Sequence, residues 1–392
     1  MKKLSLVVLF VIGWYLFMAV LHYFNQRPLW NDEACVYANI TNGSLDRMFH
    51  QGLSHDQEFP RVYLYGIGLF SSVFNGHLLA LRFFPFVMMV MAFLIWIFLV
   101  KRQMSSMVGV LTFVLCWTAS APLIYYAAEL KQYSMDVLVG AIFLLFLYHQ
   151  KSIQERWSRW MYGMMLVVLS MLGVLSYAAF FFMPLPLYNL WMDARRESCW
   201  RPLMIVYLLF CIVCLSMVYY YDFRLSNAHL MIVYWKNYII SFDSPREFFR
   251  SLQEGINNLI CHWFVDKPKW IRMVARFFIG MGLLRLLFMA FPTFKKDGFR
   301  FTSIGSVAGC VLLECFVLSA FKKIPFGVPR IYLFFAPMLL FCTVEAILWI
   351  KKLNRMFYGV LQYSFLIFLI FIALGIAGVI LKGDLGAEPI IW

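Results

Sequence analysis

The chain has 392 residues, of which 63% are hydrophobic and 14% are charged. A soluble domain has about 45–50% apolar and about 25% charged residues, so this composition excludes a soluble enzyme, a disordered chain and a free nucleic-acid-binding protein. The 34 Lys and Arg residues exceed the 20 Asp and Glu residues by 14, and they lie between apolar runs, as in the cytoplasmic loops of a membrane protein.

Eleven apolar stretches have the length and composition of membrane-spanning helices. A span needs about 20 residues, so the chain has room for roughly ten to twelve spans and little soluble structure. The predicted spans are 4–24, 83–100, 107–126, 134–150, 161–177, 178–192, 203–221, 272–291, 302–320, 331–350 and 357–381. We therefore predict an all-α polytopic membrane protein that forms a single domain over residues 1–392.

The first predicted span begins like a secretory signal peptide, because Lys2 and Lys3 precede its apolar run. The run continues for about 20 residues and ends without a small-residue cleavage site, so we expect an uncleaved anchor. The chain ends at Trp392, shortly after the last predicted span, and we expect no separate C-terminal soluble domain.

Basic residues in the short loops predict the orientation. If the N-terminus is cytoplasmic, every inside segment carries Lys or Arg, as the positive-inside rule requires. The inside segments are 1–3, 101–102, 151–159, 193–201, 295–300 and 351–355. The first outer loop (25–82), the second large outer loop (222–271) and the C-terminal tail then face outside. This predicts a multi-pass protein of the inner (plasma) membrane with its outer loops in the periplasm, if the chain is bacterial.

The first outer loop carries two adjacent carboxylates at the expected membrane surface. Asp32 and Glu33 follow Trp30 and Asn31. One interpretation is a helix start, because acidic residues in the first turn stabilise the helix dipole. The other interpretation is a functional site. Apolar spacing over 34–50 and 62–75 predicts two amphipathic helices that lie on the membrane.

Two further polar clusters are predicted on the same outer face. Glu129 and Lys131 lie in the turn between the third and fourth predicted spans. Charges this close to hydrocarbon are usually paired or functional, although a local surface pair is an alternative. Lys322, Lys323 and Arg330 precede the tenth span, where such cations suit either a phosphate group or anionic lipid.

Other polar residues give weaker indications. Arg276 and Glu314 lie at matching depths of roughly 6 and 9 Å inside neighbouring predicted spans, so we predict a structural ion pair between them. Cys35 and Cys261 fall in the two outer loops, where an oxidising compartment would allow a disulfide. Histidines in these loops have no zinc-ligand spacing, although a structural zinc site is an alternative. They are His50, His55, His77, His229 and His262.

The polar motifs, taken in order, resemble those of a known family. They are Asp32-Glu33, Pro60-Arg61-Val62-Tyr63, Gly76 to Arg82, Glu129-Leu130-Lys131-Gln132-Tyr133 and Pro329-Arg330-Ile331-Tyr332. The order and sidedness are similar to the GT-C superfamily of integral-membrane glycosyltransferases, in the branch of protein O-mannosyltransferases and lipid A aminoarabinose transferases. The resemblance covers residues 1–150 and returns at the last motif. Where the family often has a double proline, this chain has Phe59-Pro60.

The resemblance implies a GT-C fold and transfer of a sugar from a polyprenyl-phosphate-linked donor to an acceptor hydroxyl at the outer face. It implies that Asp32 is the base of an inverting reaction, and that Glu33 and Glu129 position substrate or adjust Asp32. Candidates for binding the donor phosphate are Lys131, Lys322, Lys323, Arg330 and Tyr332. Candidates for positioning substrate are Asp56, Glu58, Tyr63 and Tyr133.

The implied partners are the donor lipid, the bilayer, and a glycan, lipid or protein acceptor; no nucleic acid is expected. We predict no cofactor, although some superfamily members use a divalent metal and no ligand spacing here supports one.

A polysaccharide polymerase or ligase is an alternative, because Arg224, Arg246 and Arg250 lie in the second outer loop. A flippase is another alternative, but it needs a polar path through the membrane centre, where charges here are few.

Overall fold

The computed structural model describes residues 2–25, 27–41, 48–104, 106–225, 233, 235–261, 270, 273–274, 276–282, 284–285, 300–328, 330–353 and 355–382. Within these ranges the regular structure is helical and contains no β-strand. The prediction of an all-α chain is therefore confirmed for the described residues.

The principal helices are numbered here in chain order. They are α1 (Lys2–Phe24), α2 (Asn31–Thr41), α3 (Arg61–Val73), α4 (Leu78–Gln103), α5 (Met107–Thr118), α6 (Ala121–Tyr125), α7 (Tyr133–Arg156), α8 (Arg159–Met171), α9 (Ala179–Phe182), α10 (Pro184–Arg196), α11 (Arg201–Val218), α12 (Pro245–Cys261), α13 (Ile304–Ala320), α14 (Ala336–Leu353) and α15 (Arg355–Leu381). A π-helical turn at Tyr219–Phe223 follows α11.

Several of these helices are long and apolar enough to cross a membrane. In the described chain, six qualify singly: Leu4–Phe24, Leu78–Gln103, Tyr133–Arg156, Ser198–Phe223, Leu333–Lys351 and Tyr358–Leu381. A bent pair would make a seventh, and two shorter apolar helices cover Arg159–Val174 and Ile304–Ala320. Of the predicted span 272–291, residues 272, 275, 283 and 286–291 lie outside the described residues. The chain is therefore a multi-pass membrane protein, while the number of eleven spans and the orientation stay predictions.

Two predicted spans are interrupted at prolines. The third span is divided into α5 and a second helical segment, Ala121–Ala128, which meet at 70°. Pro122 stands at the start of α6, where the missing N–H of proline costs no helical hydrogen bond. The sixth span, predicted as continuous over 178–192, is divided into α9 and α10, with Pro184 at the start of α10. The first of these breaks directly precedes the turn that holds Glu129 and Lys131.

Aromatic side chains fill the space between α1, α4 and α5. The ring centroid of Phe93 lies 4.2 Å from that of Tyr15 and 5.2 Å from that of Trp117, and all three side chains are buried. By contrast, Phe10 on α1 and Phe371 on α15 are exposed, as expected for faces that contact lipid. Helix α7 packs against α4 and is buried along most of its length, so it forms the centre of the bundle.

A polar network joins α7, α8 and α10 near the C-terminal end of α7. Nε2 of Gln150 donates to the hydroxyl of Tyr162 at 2.9 Å, and Nδ2 of Asn189 donates to Oε1 of Gln150 at 2.7 Å. Arg300 forms an ion pair with Asp193 on α10. These contacts satisfy buried polar atoms among apolar helices, and they fix this end of the bundle.

Candidate active site

Three segments that are distant in sequence meet at the start of α2. Oδ2 of Asp32 lies 3.1 Å from Nη1 of Arg330 and 3.5 Å from Nζ of Lys131. Asp32 is in the first turn of α2, Lys131 is in the turn before α7, and Arg330 precedes α14. We call Asp32, Glu129, Lys131 and Arg330 the Asp32 cluster. It brings together residues from each of the three polar clusters that the sequence predicts on the outer face.

The local fold explains how the turn before α7 presents its side chains. A 3₁₀ turn at Tyr126–Ala128 ends at Glu129, and the backbone N–H of Lys131 donates to the carbonyl oxygen of Glu129 at 2.8 Å. Ser134 Oγ donates to the Tyr126 carbonyl oxygen at 2.7 Å, which closes the turn onto the first residues of α7. The side chains of Glu129 and Lys131 therefore point into the protein and do not form an exposed surface pair.

Lys131 is buried among polar and aromatic groups. Its Nζ donates to Oε1 of Gln57 at 2.6 Å and lies 5.8 Å from the ring centroid of Phe59. Burial lowers the pKa of Lys131, because the charged form is desolvated, while the carboxylates of Asp32 and Glu129 act in the opposite direction. The protonation of the Lys131 amine therefore depends on the two carboxylates beside it.

Two indole rings surround the guanidinium group of Arg330. Its Cζ lies 5.3 Å from the ring centroid of Trp235 and 5.8 Å from that of Trp30. The Trp30 Nε1–H donates to Oε1 of Glu129 at 3.3 Å, so the same ring also contacts the buried acid. A guanidinium group held between aromatic faces retains its charge and has little rotamer freedom.

Asp32 is the most accessible side chain of the ion-paired residues. Its side chain is 23% exposed, compared with 10% for Arg330 and 6% for Lys131. Nε2 of Gln57 also donates to Oδ1 of Asp32, at 3.4 Å. A small ligand that approaches the cluster would therefore meet this carboxylate before it meets the two cations.

Glu33 has a different environment from its neighbour Asp32. Its side chain is completely buried, and Oε2 accepts from Arg27 at 2.7 Å and from Arg82 at 2.9 Å. Oε1 accepts from Arg82 Nε at 3.2 Å and from the backbone N–H of Leu130 at 2.8 Å. Both oxygens are thus used to connect α2, α4 and the turn before α7. This geometry suits a residue that positions its neighbours.

By formal charge, the region carries an excess of positive residues. Four described cations are opposed by three carboxylates, which leaves one positive charge. The cations are Arg27, Arg82, Lys131 and Arg330, and the carboxylates are Asp32, Glu33 and Glu129. An excess positive charge in a partly desolvated site favours an anionic ligand.

A second polar cluster joins α3 to the π-helical turn after α11. Nε of the buried Arg61 lies 3.7 Å from Oδ1 of Asp222, and Tyr177 donates its hydroxyl hydrogen to Oδ2 of Asp222 at 3.0 Å. Arg61 also donates to the carbonyl oxygen of Gln51 at 2.6 Å. The half-buried Glu58 interacts electrostatically with Asp222 and Tyr177.

The predicted substrate-positioning residues occupy different places. Tyr63 is buried and stacks on Phe59, with ring centroids 5.9 Å apart. Tyr133 is buried with its ring edge-to-face against Tyr126, at 5.1 Å. Glu58 belongs to the second polar cluster, and the side chain of Asp56 lies outside the described residues. Their roles towards a substrate stay predictions.

The late cationic stretch is divided between exposed and buried residues. Lys322 and Lys323 are exposed, and their backbone N–H groups bond to the carbonyl oxygens that end α13, with Lys322 at a φ of 57°. Tyr332 is buried and donates its hydroxyl hydrogen to the carbonyl oxygen of Pro325 at 2.7 Å. Of these candidates for the donor phosphate, Arg330 is the one that the structure places against Asp32.

The remaining predictions concern an ion pair, a disulfide and a metal site. Glu314 accepts a hydrogen bond from Cys310 Sγ at 3.6 Å and Arg276 is exposed, so their predicted ion pair stays a prediction. The side chain of Cys261 lies outside the described residues, and the disulfide with Cys35 is therefore untested. In the described part of the chain, no three His, Cys, Asp or Glu side chains converge as metal ligands. His229 and His262 lie outside that part.

Sequence reasoning missed several residues of the site. The sequence indicates Arg82 only as the end of a motif, and it assigns no role to Arg27, Gln57 or Trp235. The charge of Arg27 and Arg82 close to Asp32 and Glu33 was a usable signal, because buried carboxylates need partners. Trp235 lies about 200 positions from either acid in sequence, and no local pattern could have indicated its contact with Arg330.

Comparisons with known proteins identify the fold. No model of a protein family matches the chain, and no curated protein matches it by sequence. Among solved structures, the crystal structure of ArnT from Cupriavidus metallidurans bound to undecaprenyl phosphate superposes with a TM-score of 0.53 and 14% sequence identity. The alignment covers 98% of this chain and 73% of that chain. The chain therefore has an ArnT-like membrane fold.

Proposed function

We propose that the protein is a glycosyltransferase that moves a sugar from a polyprenyl-phosphate-linked donor to an acceptor hydroxyl at the outer face of the membrane. The observation that carries this proposal is the contact of Asp32 with both Lys131 and Arg330. A carboxylate that can accept a proton lies directly beside two cations that can hold a phosphate. The similarity in fold to a protein crystallised with undecaprenyl phosphate supports a lipid phosphate as ligand.

In the proposed reaction, Asp32 accepts the proton of the acceptor hydroxyl. The acceptor oxygen attacks the anomeric carbon of the donor and forms the new glycosidic bond, with inversion. The bond between the anomeric carbon and the phosphate oxygen breaks, and its electron pair leaves with the polyprenyl phosphate. The leaving phosphate gains negative charge, which Lys131 and Arg330 stabilise. The proton remains on Asp32 until it is released to solvent.

The ion pairs of Asp32 suggest that donor binding prepares the base. Both cations contact Oδ2 of Asp32. A donor phosphate would compete for the same cations and would leave the carboxylate available to the acceptor hydroxyl. The surplus of one positive charge in the region matches the single charge of a phosphodiester. We therefore propose that the donor binds before the acceptor.

The other site residues would act through these groups. We propose that Glu33 holds Arg27, Arg82 and the turn before α7 in place, so that it positions Asp32 and Lys131. Glu129 would orient Trp30 and counter the charge of Lys131. The sugar and the acceptor remain open: glycan, lipid and protein hydroxyls all suit the chemistry.

The proposal is tested with the purified protein in lipid nanodiscs. A panel of polyprenyl-phosphate sugars is supplied with envelope lipids and glycans as acceptors, and released polyprenyl phosphate is measured by mass spectrometry. Loss of a general base costs about 10²–10⁴-fold, so Asp32→Asn should lose release by that factor while the protein still elutes as a folded species and unfolds cooperatively.

The matched control is Asp243→Asn, which removes an exposed acid from the second outer loop and should leave release unchanged. Full release by the Asp32→Asn protein would exclude Asp32 as the base. Absence of release from every donor, together with transbilayer movement of intact donor, would instead indicate a flippase.

A further inference from the structure

A groove between helices lies far from the Asp32 cluster. It has a volume of about 670 Å³ and is bounded by α4, α7 and α8. Helix α7 is 24 residues long, or about 36 Å, and it begins next to Lys131 and ends at Arg156, which lines the groove. The groove therefore opens at the opposite end of the bundle from the candidate active site, and a donor headgroup at Asp32 cannot occupy it.

The groove has an apolar interior and a polar mouth. Aliphatic and aromatic side chains from α7 and α8 form its walls, among them Ile142, Phe146 and Leu169. Ser152 and Arg156 lie at its mouth, near the C-terminal end of α7. This division suits an amphiphile whose hydrocarbon chain lies between the helices and whose polar group lies at the surface of the bundle.

The mouth is positively charged on two sides. Arg156 lines the groove, and Cζ of Arg102 lies 5.2 Å from the ring centroid of Phe98, which also lines it. Both arginines are exposed, so their guanidinium groups are accessible to a headgroup. The nearby acid, Glu155, lies 3.9 Å from Lys151 in an exposed pair. Two guanidinium groups that flank an apolar groove favour a phosphate oxygen.

We propose that this groove binds one acidic glycerophospholipid, with an acyl chain between α7 and α8 and its phosphate group between Arg102 and Arg156. Basic pockets between membrane helices bind anionic headgroups in this way. Such a lipid would fill an apolar space beside the centre of the bundle and would connect α8 to α4 and α7. The site is independent of the sugar-transfer chemistry.

Native mass spectrometry of the intact protein tests this site. The protein is reconstituted in nanodiscs of equimolar phosphatidylglycerol and phosphatidylcholine, then released and analysed for retained lipid. The native chain should retain phosphatidylglycerol preferentially. Each basic residue near an anionic headgroup strengthens the binding of that lipid. Removing both arginines in Arg102→Gln/Arg156→Gln should therefore lower the retention of phosphatidylglycerol by about tenfold or more.

The matched control is Lys151→Gln/Arg159→Gln, which removes the same charge from the same end of the bundle outside the groove. It should retain phosphatidylglycerol as the native chain does. A second variant, Ser152→Trp, keeps both arginines but fills the mouth, and it should also lose the lipid. If the double arginine variant does not fold, Ser152→Trp decides the question.

Four outcomes would overturn the proposal. The first is equal retention of phosphatidylglycerol and phosphatidylcholine by the native chain. The second is undiminished retention of phosphatidylglycerol by the double arginine variant or by Ser152→Trp. The third is a loss of phosphatidylglycerol from the Lys151→Gln/Arg159→Gln control that equals the loss from the double arginine variant. The fourth is retention of polyprenyl phosphate in place of phospholipid, with loss of that species in the Ser152→Trp variant. That last result would assign the groove to the isoprenoid carrier.

Discussion

Arg330 donates a hydrogen bond to Asp32 across 298 residues of sequence, with Nη1 of Arg330 lying 3.1 Å from Oδ2 of Asp32. The same carboxylate oxygen also lies 3.5 Å from Nζ of Lys131. A potential base and two potential phosphate ligands are therefore in contact with one another. Such an arrangement is pre-organised, because the protein has already desolvated and oriented the groups that a phosphosugar would need.

Removal of the Arg330 charge should weaken donor binding. Charge-assisted hydrogen bonds contribute about 1.5–3 kcal/mol, so Arg330→Gln should raise the KM for the donor by about tenfold or more. Lys323→Gln is the matched variant, because Lys323 is an exposed cation in the same stretch and should leave KM almost unchanged. Steady-state release of polyprenyl phosphate measures both. Equal effects of the two substitutions would indicate that a diffuse positive field, not the Asp32 cluster, holds the donor.

The affinity for the donor should fall at alkaline pH. Burial lowers the pKa of Lys131, so this amine loses its charge at a lower pH than an ordinary lysine with a pKa of about 10.4. The charged amine attracts the phosphate below its pKa, and the neutral amine above the pKa does not. The donor KM should therefore rise with pH in a range where exposed lysines are still protonated.

A Lys131→Arg variant separates this effect from other titrations. The guanidinium group stays charged above pH 12, so the KM of this variant should remain constant over the same range. Both profiles are measured by initial rates of polyprenyl phosphate release between neutral pH and the alkaline limit of protein stability. An identical alkaline rise in the variant would rule out Lys131 as the titrating group.

Loss of the Glu33 charge should mainly affect stability. Glu33→Gln leaves Arg27 and Arg82 buried without their carboxylate, and breaking a buried ion pair in this way costs about 3–5 kcal/mol. We expect a clear fall in the thermal unfolding temperature in detergent. Glu247→Gln breaks a partly exposed pair with Arg250 and should cost about 0–1 kcal/mol. A Glu33→Gln protein that unfolds like the native chain but transfers no sugar would place Glu33 in the chemistry.

The close approach of Gly327 to α12 should be necessary for the position of Arg330. Gly327 has a φ of 80°, and a Cβ there would collide with the backbone of Gly255 on α12. Gly327→Ala should therefore displace the segment that carries Arg330, lower the unfolding temperature and raise the donor KM. The control is Gly359→Ala on α15, where a Cβ meets no atom within 4 Å. Native values for Gly327→Ala in both measurements would contradict this prediction.

Some features of the site could be predicted because they depend on local patterns. Glu129 and Lys131 lie in a short turn between two apolar runs, and Asp32 follows the first apolar run at its predicted outer end. Hydrophobic length and the position of charges are sufficient to place such residues near a membrane surface. The same reasoning could not separate Asp32 from Glu33, because the two acids are adjacent and differ only in the partners that the fold supplies.

Other features depend on contacts that no local pattern contains. The sequence shows one basic stretch that contains Lys322, Lys323 and Arg330. In the structure, Lys322 and Lys323 are exposed at the end of α13. Arg330 is instead buried between Trp30 and Trp235. The bond from the Leu130 N–H to Glu33 likewise joins residues 97 positions apart in sequence.

The sequence by itself determined that this protein is a helical, multi-pass membrane protein. The length of each apolar stretch and the polar residues that end it are local properties, and they decide whether that one helix can span a membrane. Only the tertiary structure decided which charges neutralise one another. Two arginines enclose Glu33, while Asp32 stays accessible between Lys131 and Arg330. Ion pairing acts through space over a few ångströms, and the packing of helices sets those distances independently of separation along the chain.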